Sequence, residues 1–375
     1  MIKILFLIHD LGQGGAEKVL VNLVNHLDRS KFDISVTALF GGGINEQFLA
    51  SDIHFTSIFF REFPGNSKFL KLLTPKQLHR VCVKEDYDIE ISYLEGPSAR
   101  VISGCENPNT KTICWIHSTF ASLEESVTSF RSIKEAIRCY GKFDKIICVA
   151  NSVKEAFVKS FPDCKAVDVL YNVPDSDFII SQSKLSIDQK MFQKDEIALM
   201  GIGSLKSVKA FDRLIRIHVC LRAKKYPIHT YLLGKGPDLN RLKKIADESG
   251  VSETVSFLGY DINPYKYLVH STLFICCSIS EGFSTAVTEA LILGVPICTV
   301  EVSGMRELLG ADCEYGLITD NTEQDLYEGV KYLLDNPEIL AYYKMQAQIR
   351  GKKFSTEKTV KSIENMLFKI WEKNK

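Results

Sequence analysis

The chain has 375 residues, 45% of them hydrophobic and 25% charged, an average globular make-up that excludes disordered, collagenous and coiled-coil classes and suggests two domains of roughly 100–200 residues. Its 46 Lys and Arg against 46 Asp and Glu leave a formal net charge of zero, so no global field draws it to nucleic acid. The 11 cysteines are odd in number and scattered, with no C-x-x-C pair and no secretory segment ahead of them. They read as reduced thiols of a cytoplasmic protein.

Short apolar runs alternate with helical patterns, the sign of parallel sheets with crossover helices. The first run, Lys3 to His9, leads through Gly12-Gln13-Gly14-Gly15 into a helix with Ala16, Val19, Leu20, Leu23, Val24 and Leu27 on one face. Further strands are expected at Ile34 to Phe40, His54 to Phe60, Ile89 to Leu94, Lys111 to Ile116, Lys145 to Ala150 and Val167 to Tyr171. These seven complete a first Rossmann-like domain over 1–172. A polar stretch over 173–195 reads as a linker. A second domain, 196–375, restarts the pattern at Glu196 to Gly203, with strands near His229 to Leu233, Val255 to Leu258, Leu273 to Ser278 and Pro296 to Val300. Its tail is helical from Glu323, broken at Asn336-Pro337, and able to cross back to the first domain. The expected fold class is α/β, two doubly wound domains facing across a cleft at the carboxyl ends of their strands. No apolar run approaches the ~20 residues of a spanning helix.

The strand-to-helix loops carry the chemistry. Gly12, Gly14 and Gly15 open a helix whose free N–H groups suit an anion, but Glu17 stands where the third glycine of a dinucleotide fingerprint belongs. That loop reads equally well as a turn without ligand. His117 follows the strand Lys111 to Ile116 and offers an imidazole to a sugar hydroxyl or to local charge. Glu95 takes the matching place after the neighbouring strand, where it also suits a helix cap. Lys209, beyond Gly203-Ser204, can neutralise a diphosphate or lie on a solvated helix. Gly234-Lys235-Gly236-Pro237 and Phe257-Leu258-Gly259-Tyr260 are strand-to-loop corners. The strongest cluster is Glu281-Gly282-Phe283-Ser284-Thr285 with Glu289 eight residues on. Carboxylates accept from sugar hydroxyls while N–H groups at a helix start bind phosphate. A glutamate among Ala286, Val287, Ala290 and Leu291 has a specific partner.

With these motifs the chain resembles the family 4 retaining glycosyltransferases of the GT-B fold, over nearly its full length. G-G-A-E appears as Gly14-Gly15-Ala16-Glu17, the strand-end histidine as His117, and E-x7-E as Glu281 to Glu289. G-x-G-P appears as Gly234-Lys235-Gly236-Pro237, and F-L-G as Phe257-Leu258-Gly259. The resemblance implies a nucleotide-sugar donor on the second domain and a glycan or lipid-linked acceptor on the first. It implies that His117, Glu281 and Lys209 serve catalysis. Glu289 is then at the ribose hydroxyls, Gly259 and Tyr260 near the base, and Phe283, Ser284 and Thr285 around sugar and phosphate. Gly203 and Ser204 line the diphosphate, and Gly14 and Gly15 close from the other domain. Transfer is expected with retention and without cofactor or metal, Lys209 offsetting the leaving-group charge.

One departure stands out. Ser204 fills a slot that the family usually gives to arginine, so Lys206 or another basic residue compensates or the diphosphate is held differently. Asp175-Ser176-Asp177 matches D-x-D but reads as a solvated turn, and nothing suggests zinc. The segment 66–84 carries Lys68, Lys71, Lys76, Arg80 and Lys84 among Phe69, Leu70, Leu72, Leu73, Leu78 and Val81. That pattern is either a solvated basic face or a peripheral contact with anionic lipid at the inner face of the cell membrane. The expected function is sugar transfer to a hydroxyl in cell-surface polysaccharide assembly. A nucleotide-sugar epimerase and an inactive nucleotide-sugar-binding scaffold are the alternatives.

Overall fold

A computed structural model describes residues 1–119, 124, 127–164, 166–188, 191–193 and 195–372. The chain divides into two compact units, Met1–Val173 together with the segment from Thr356, and Pro174–Ser355.

The first unit is a seven-stranded parallel sheet of β1 (Ile2–Ile8), β2 (Phe32–Phe40), β3 (His54–Phe59), β4 (Ile89–Ser92), β5 (Lys111–Ile116), β6 (Lys145–Cys148) and β7 (Val167–Val169), in the order β3-β2-β1-β4-β5-β6-β7. Strands covered by helices on both faces have no solvent side, so they read as unbroken apolar runs. Ile4, Phe6, Leu7 and Ile8 of β1 are accordingly fully buried. The order reverses between β1 and β4, and doubly wound sheets bind ligands at such a reversal. The helix Thr356–Glu372 completes this unit. Glu364 accepts from the Asp28 N–H at 2.9 Å, and Phe368 packs on Phe32 with ring centroids 5.1 Å apart.

The second unit repeats the plan with β8 (Ile197–Ile202), β9 (Ile228–Leu233), β10 (Val255–Gly259), β11 (Leu273–Cys276), β12 (Ile297–Val300) and β13 (Leu317–Thr319), ordered β10-β9-β8-β11-β12-β13 and parallel throughout. Leu199, Leu214, Leu232, Ile275, Val300, Leu326 and Val330 form its core. The reversal falls between β8 and β11, which places the loops after those two strands side by side.

Three expectations need correction. The sequence pattern implies five strands here, and the sixth, β13, is a three-residue edge strand too short to show a period. The span 173–195 is not all linker: Ser176–Ser183 is a helix packed on the helices Tyr265–Leu268 and Thr285–Ile292, and Asn263 donates to the Gln182 carbonyl at 3.0 Å. Asp175 is no solvated turn but the N-cap of that helix, accepting from the Phe178 N–H at 3.1 Å, as short acidic side chains at N-caps do.

Candidate active site

The donor residues named from the sequence, Gly203 to Glu289, lie in the second unit, and Gly14, Gly15 and His117 in the first. In the second unit the geometry begins with β8 and β11 as neighbours. Their loops are knitted by the Ile279 N–H on the Val208 carbonyl at 2.8 Å and by the Cys277 thiol on the Lys209 carbonyl at 3.2 Å. Lys209 closes a single turn, Ser207–Lys209. Ala210 then holds φ +49°, in the left-handed region that costs an L-residue roughly 1–2 kcal/mol. Backbone strain of this kind gathers at functional sites.

This stitching sets the Lys209 ammonium 2.5 Å from Glu281 Oε1. The same oxygen accepts the Ser278 hydroxyl at 2.6 Å. Burial pulls the Lys209 pKa down, but the Glu281 carboxylate outweighs it and the net movement is upward, so the lysine stays charged.

Ser284 caps the following helix, Thr285–Ile292; its side chain accepts from the Val287 N–H at 3.4 Å. Thr285 therefore opens a helix whose first N–H groups lack helical partners and carry the positive end of the dipole. Phe283 is buried ahead of it, against Gly304. One to two turns in, Glu289 is 6% exposed and accepts the Tyr265 hydroxyl at 3.2 Å. A buried carboxylate held this way suits paired hydroxyls.

Two further corners meet here. Gly203 donates to the Leu233 carbonyl, Leu205 to the Lys235 carbonyl and Asp238 to the Leu205 carbonyl, at 3.0, 2.8 and 3.0 Å. Gly236 is glycine because a Cβ there would stand 2.7 Å from the Leu205 nitrogen. Gly234 donates to the Gly259 carbonyl at 2.7 Å, and the Lys235 ammonium lies 5.5 Å from the Tyr260 ring centroid. Ser204 sits at this corner, while Lys206 is exposed.

In the first unit, Gly14 is the N-cap and Gly15 the first residue of the helix Gly15–His26. His117 follows β5, 9% exposed, its ring 4.9 Å from that of Tyr93, and its Nε2 buried without a hydrogen-bond partner among the described residues. Burial drives its pKa down to about 3. Of the two roles expected for it, a ring so lowered suits the hydrogen bond rather than local charge. Glu95 is not a helix cap. It accepts the His117 backbone N–H at 2.9 Å, and burial raises its own pKa.

Sequence reasoning passed over Ser278 and Tyr265 and gave Lys235 no role beyond its corner. Ser278 lies three residues before Glu281, a spacing that carries no signal outside a helix. Tyr265 meets Glu289 only across helices 24 residues apart. Lys235 was legible, lying within G-K-G-P.

Family models match both halves: Glycosyltransferase Family 4 over residues 13–178, and Glycosyl transferases group 1 over residues 182–350. The chain belongs to this glycosyltransferase family. The glycosyltransferase is 28% identical, over 96% of its own length and 97% of the relative's, to the N-acetylgalactosamine-N,N'-diacetylbacillosaminyl-diphospho-undecaprenol 4-alpha-N-acetylgalactosaminyltransferase of Campylobacter jejuni. It is 25% identical, over 98% of its length and the whole of the relative, to an uncharacterized glycosyltransferase of Haemophilus influenzae. In fold it resembles Anabaena HepE solved with UDP-glucose (TM-score 0.80, 19% identity, covering 98% of this chain and 100% of that one). It also resembles the sucrose-phosphate synthase of Thermosynechococcus elongatus (TM-score 0.78, 13% identity, covering 99% and 100%). The GT-B fold expected from the motifs is the fold of these neighbours.

Proposed function

We propose that this glycosyltransferase moves a sugar, with retention, from a nucleoside diphosphate sugar to a hydroxyl of a lipid-linked glycan in cell-surface polysaccharide assembly. The observation that carries the reading is the Lys209–Glu281–Ser278 cluster at the β8–β11 reversal, beside the N-terminus at Thr285 and ahead of buried Glu289. Glu289 takes the ribose hydroxyls, the N–H groups at Ser284 and Thr285 a phosphate, and Glu281 a sugar hydroxyl. Gly259 and Tyr260 border the base. Lys235, at the Gly203-Ser204 corner, supplies the cation that Ser204 lacks. Gly14 and Gly15 serve the donor, and His117, neutral, exchanges a hydrogen bond with an acceptor hydroxyl through Nε2.

In this mechanism the acceptor oxygen attacks from the face that the phosphate leaves. The departing phosphate oxygen takes the acceptor proton, so no protein nucleophile is needed. Lys209, held charged by Glu281, offsets the charge that develops on that oxygen, as fixed electrostatic groups do in transition states, and the reaction proceeds without a metal. Retention agrees with the 4-alpha linkage in the Campylobacter relative's name, and a lipid-linked acceptor with its diphospho-undecaprenol.

Membrane contact is assigned to the basic segment, which forms two helices. Asn66–Leu72 is followed by Pro75–Cys82, which opens on a capping box between Thr74 and Gln77. Phe60 is 81%, Leu72 73% and Phe69 44% exposed, and Arg61 and Lys68 are exposed as well. Exposed apolar side chains among cations suit the inner face of an anionic membrane. No helix among the described residues is long and apolar enough to cross one.

The test is thermal denaturation with UDP, GDP and ADP, each with and without EDTA, followed by transfer assays and NMR of the product's anomeric centre. At about 100 Kd a nucleotide adds about 2.7 kcal/mol, or roughly 5–10 °C at about 2–4 °C per kcal/mol. One nucleotide giving an EDTA-insensitive increment, and a product of retained configuration, is expected. An inverted product, or turnover abolished by EDTA and restored by a divalent ion, overturns the mechanism.

A further inference from the structure

A cluster within the first unit has no part in the reaction described. Glu90, the second residue of β4, is 2% exposed on a strand. The His79 Nε2, from the last turn of the helix Pro75–Cys82, sits 2.7 Å from Glu90 Oε2. Cys105 comes from the loop between the helix Pro97–Ile102 and β5. Its sulfur, the His79 nitrogen and the Glu90 oxygen lie within 4.8 Å of one another.

Two clamps hold that loop in place. On one side of Cys105, Gly104 packs so closely on the start of the helix Pro75–Cys82 that a Cβ would stand 2.8 Å from the Lys76 nitrogen. On the other side, Glu106 pairs with Lys76 at 2.5 Å and Arg80 at 3.9 Å. Loops that run from helix to strand lie at the amino edge of a parallel sheet, opposite the edge where doubly wound folds bind substrates.

We propose that His79, Glu90 and Cys105 bind one zinc ion within the first unit, with solvent at the fourth position. Zinc takes nitrogen, oxygen and sulfur donors together, tetrahedrally, with bonds of about 2.0–2.3 Å; neighbouring donors then stand roughly 3.3–3.8 Å apart by that geometry. His79 and Glu90, 2.7 Å apart, must separate slightly to admit the ion, and all three donor atoms already lie within 4.8 Å of one another. Magnesium and calcium require oxygen shells, which a thiol and an imidazole do not provide. Zinc binds a thiolate and a neutral imidazole, so loading the site releases protons. The bound ion ties the Cys105 loop to β4 and to the helix that follows the basic segment.

The experiment loads the full chain with one equivalent of zinc sulfate, dialyses it against metal-free buffer and measures retained zinc by plasma mass spectrometry. Cobalt chloride is then substituted as a spectroscopic probe. Wild type is expected to keep one zinc per chain and to show a thiolate-to-cobalt charge-transfer band. Cys105→Ser and His79→Gln are expected to lose both, with unchanged far-UV circular dichroism. Cys105 is only partly buried, so Cys105→Ser decides the question should His79→Gln not fold. Loss of zinc from wild type on dialysis, a cobalt complex without the thiolate band, or full zinc retention by Cys105→Ser overturns the site. The nucleotide increments above are read in the same samples, so failure here is separable from failure of the donor site.

Discussion

Replacing His117 by Phe removes the one titration that burial perturbs most clearly beside the proposed acceptor site. The imidazole is 9% exposed, unpartnered at Nε2, and pushed down to about 3 in the folded chain, against about 6.5 for an unfolded histidine. The folded value is the lower one, so between the two values the unfolded chain binds the extra proton. Stability from this residue is then complete above the unfolded value and drains away as pH falls toward 3. At pH 5 the drop is about 1.36 kcal/mol for each of 1.5 pH steps, or about 2 kcal/mol. Because pH 5 lies well above the folded-state value, the unfolded value alone sets this figure. Melting of the unit containing His117, followed at pH 8 and pH 5, should therefore fall by roughly 4–8 °C more in wild type than in the Phe variant. Glu95 accepts from the backbone N–H of residue 117, which Phe retains, so its own titration cancels in the comparison. His218, also lowered by burial, to about 4, is in both proteins and cancels as well. Equal falls in the two proteins would refute the claim that His117 is held neutral.

Lys209→Ala should lower kcat by about 10²–10³, as removal of one preorganised electrostatic group does, with the fold intact by circular dichroism; unchanged turnover at saturating donor would take Lys209 out of the reaction. Gly236→Ala forces a Cβ against the Leu205 backbone and should cost about 1–3 kcal/mol as overpacking does, read as a lowered Tm and weaker nucleotide binding. Leu72→Ser should cut flotation with anionic vesicles by about tenfold, since burying one leucine contributes at least about 1.5 kcal/mol. Flotation equal to wild type would place the membrane elsewhere.

Much of this protein was legible because its signals are local. A parallel strand buried on both faces must be apolar throughout, so β1, β8 and β11 show as runs. A corner where backbones approach closely needs residues without a Cβ, so Gly234-Lys235-Gly236 shows as glycines. The E-x7-E spacing survives because both glutamates belong to one loop and the helix it feeds. Where the physics is non-local the letters are silent. β13 has three residues and takes its place only by pairing with β12. Asp175 looks like half of a D-x-D until the helix it caps finds its partners in the second unit.

The sequence by itself determined two doubly wound units, their order along the chain and the glycosyltransferase family, since periodicity and short motifs are written in neighbouring residues. Only the tertiary structure decided that Lys209 meets Glu281, that Tyr265 holds Glu289, that His117 is neutral, and that His79, Glu90 and Cys105 converge. Each of these depends on which strands lie side by side and on how much water is excluded, and burial and sheet order are properties of the whole fold.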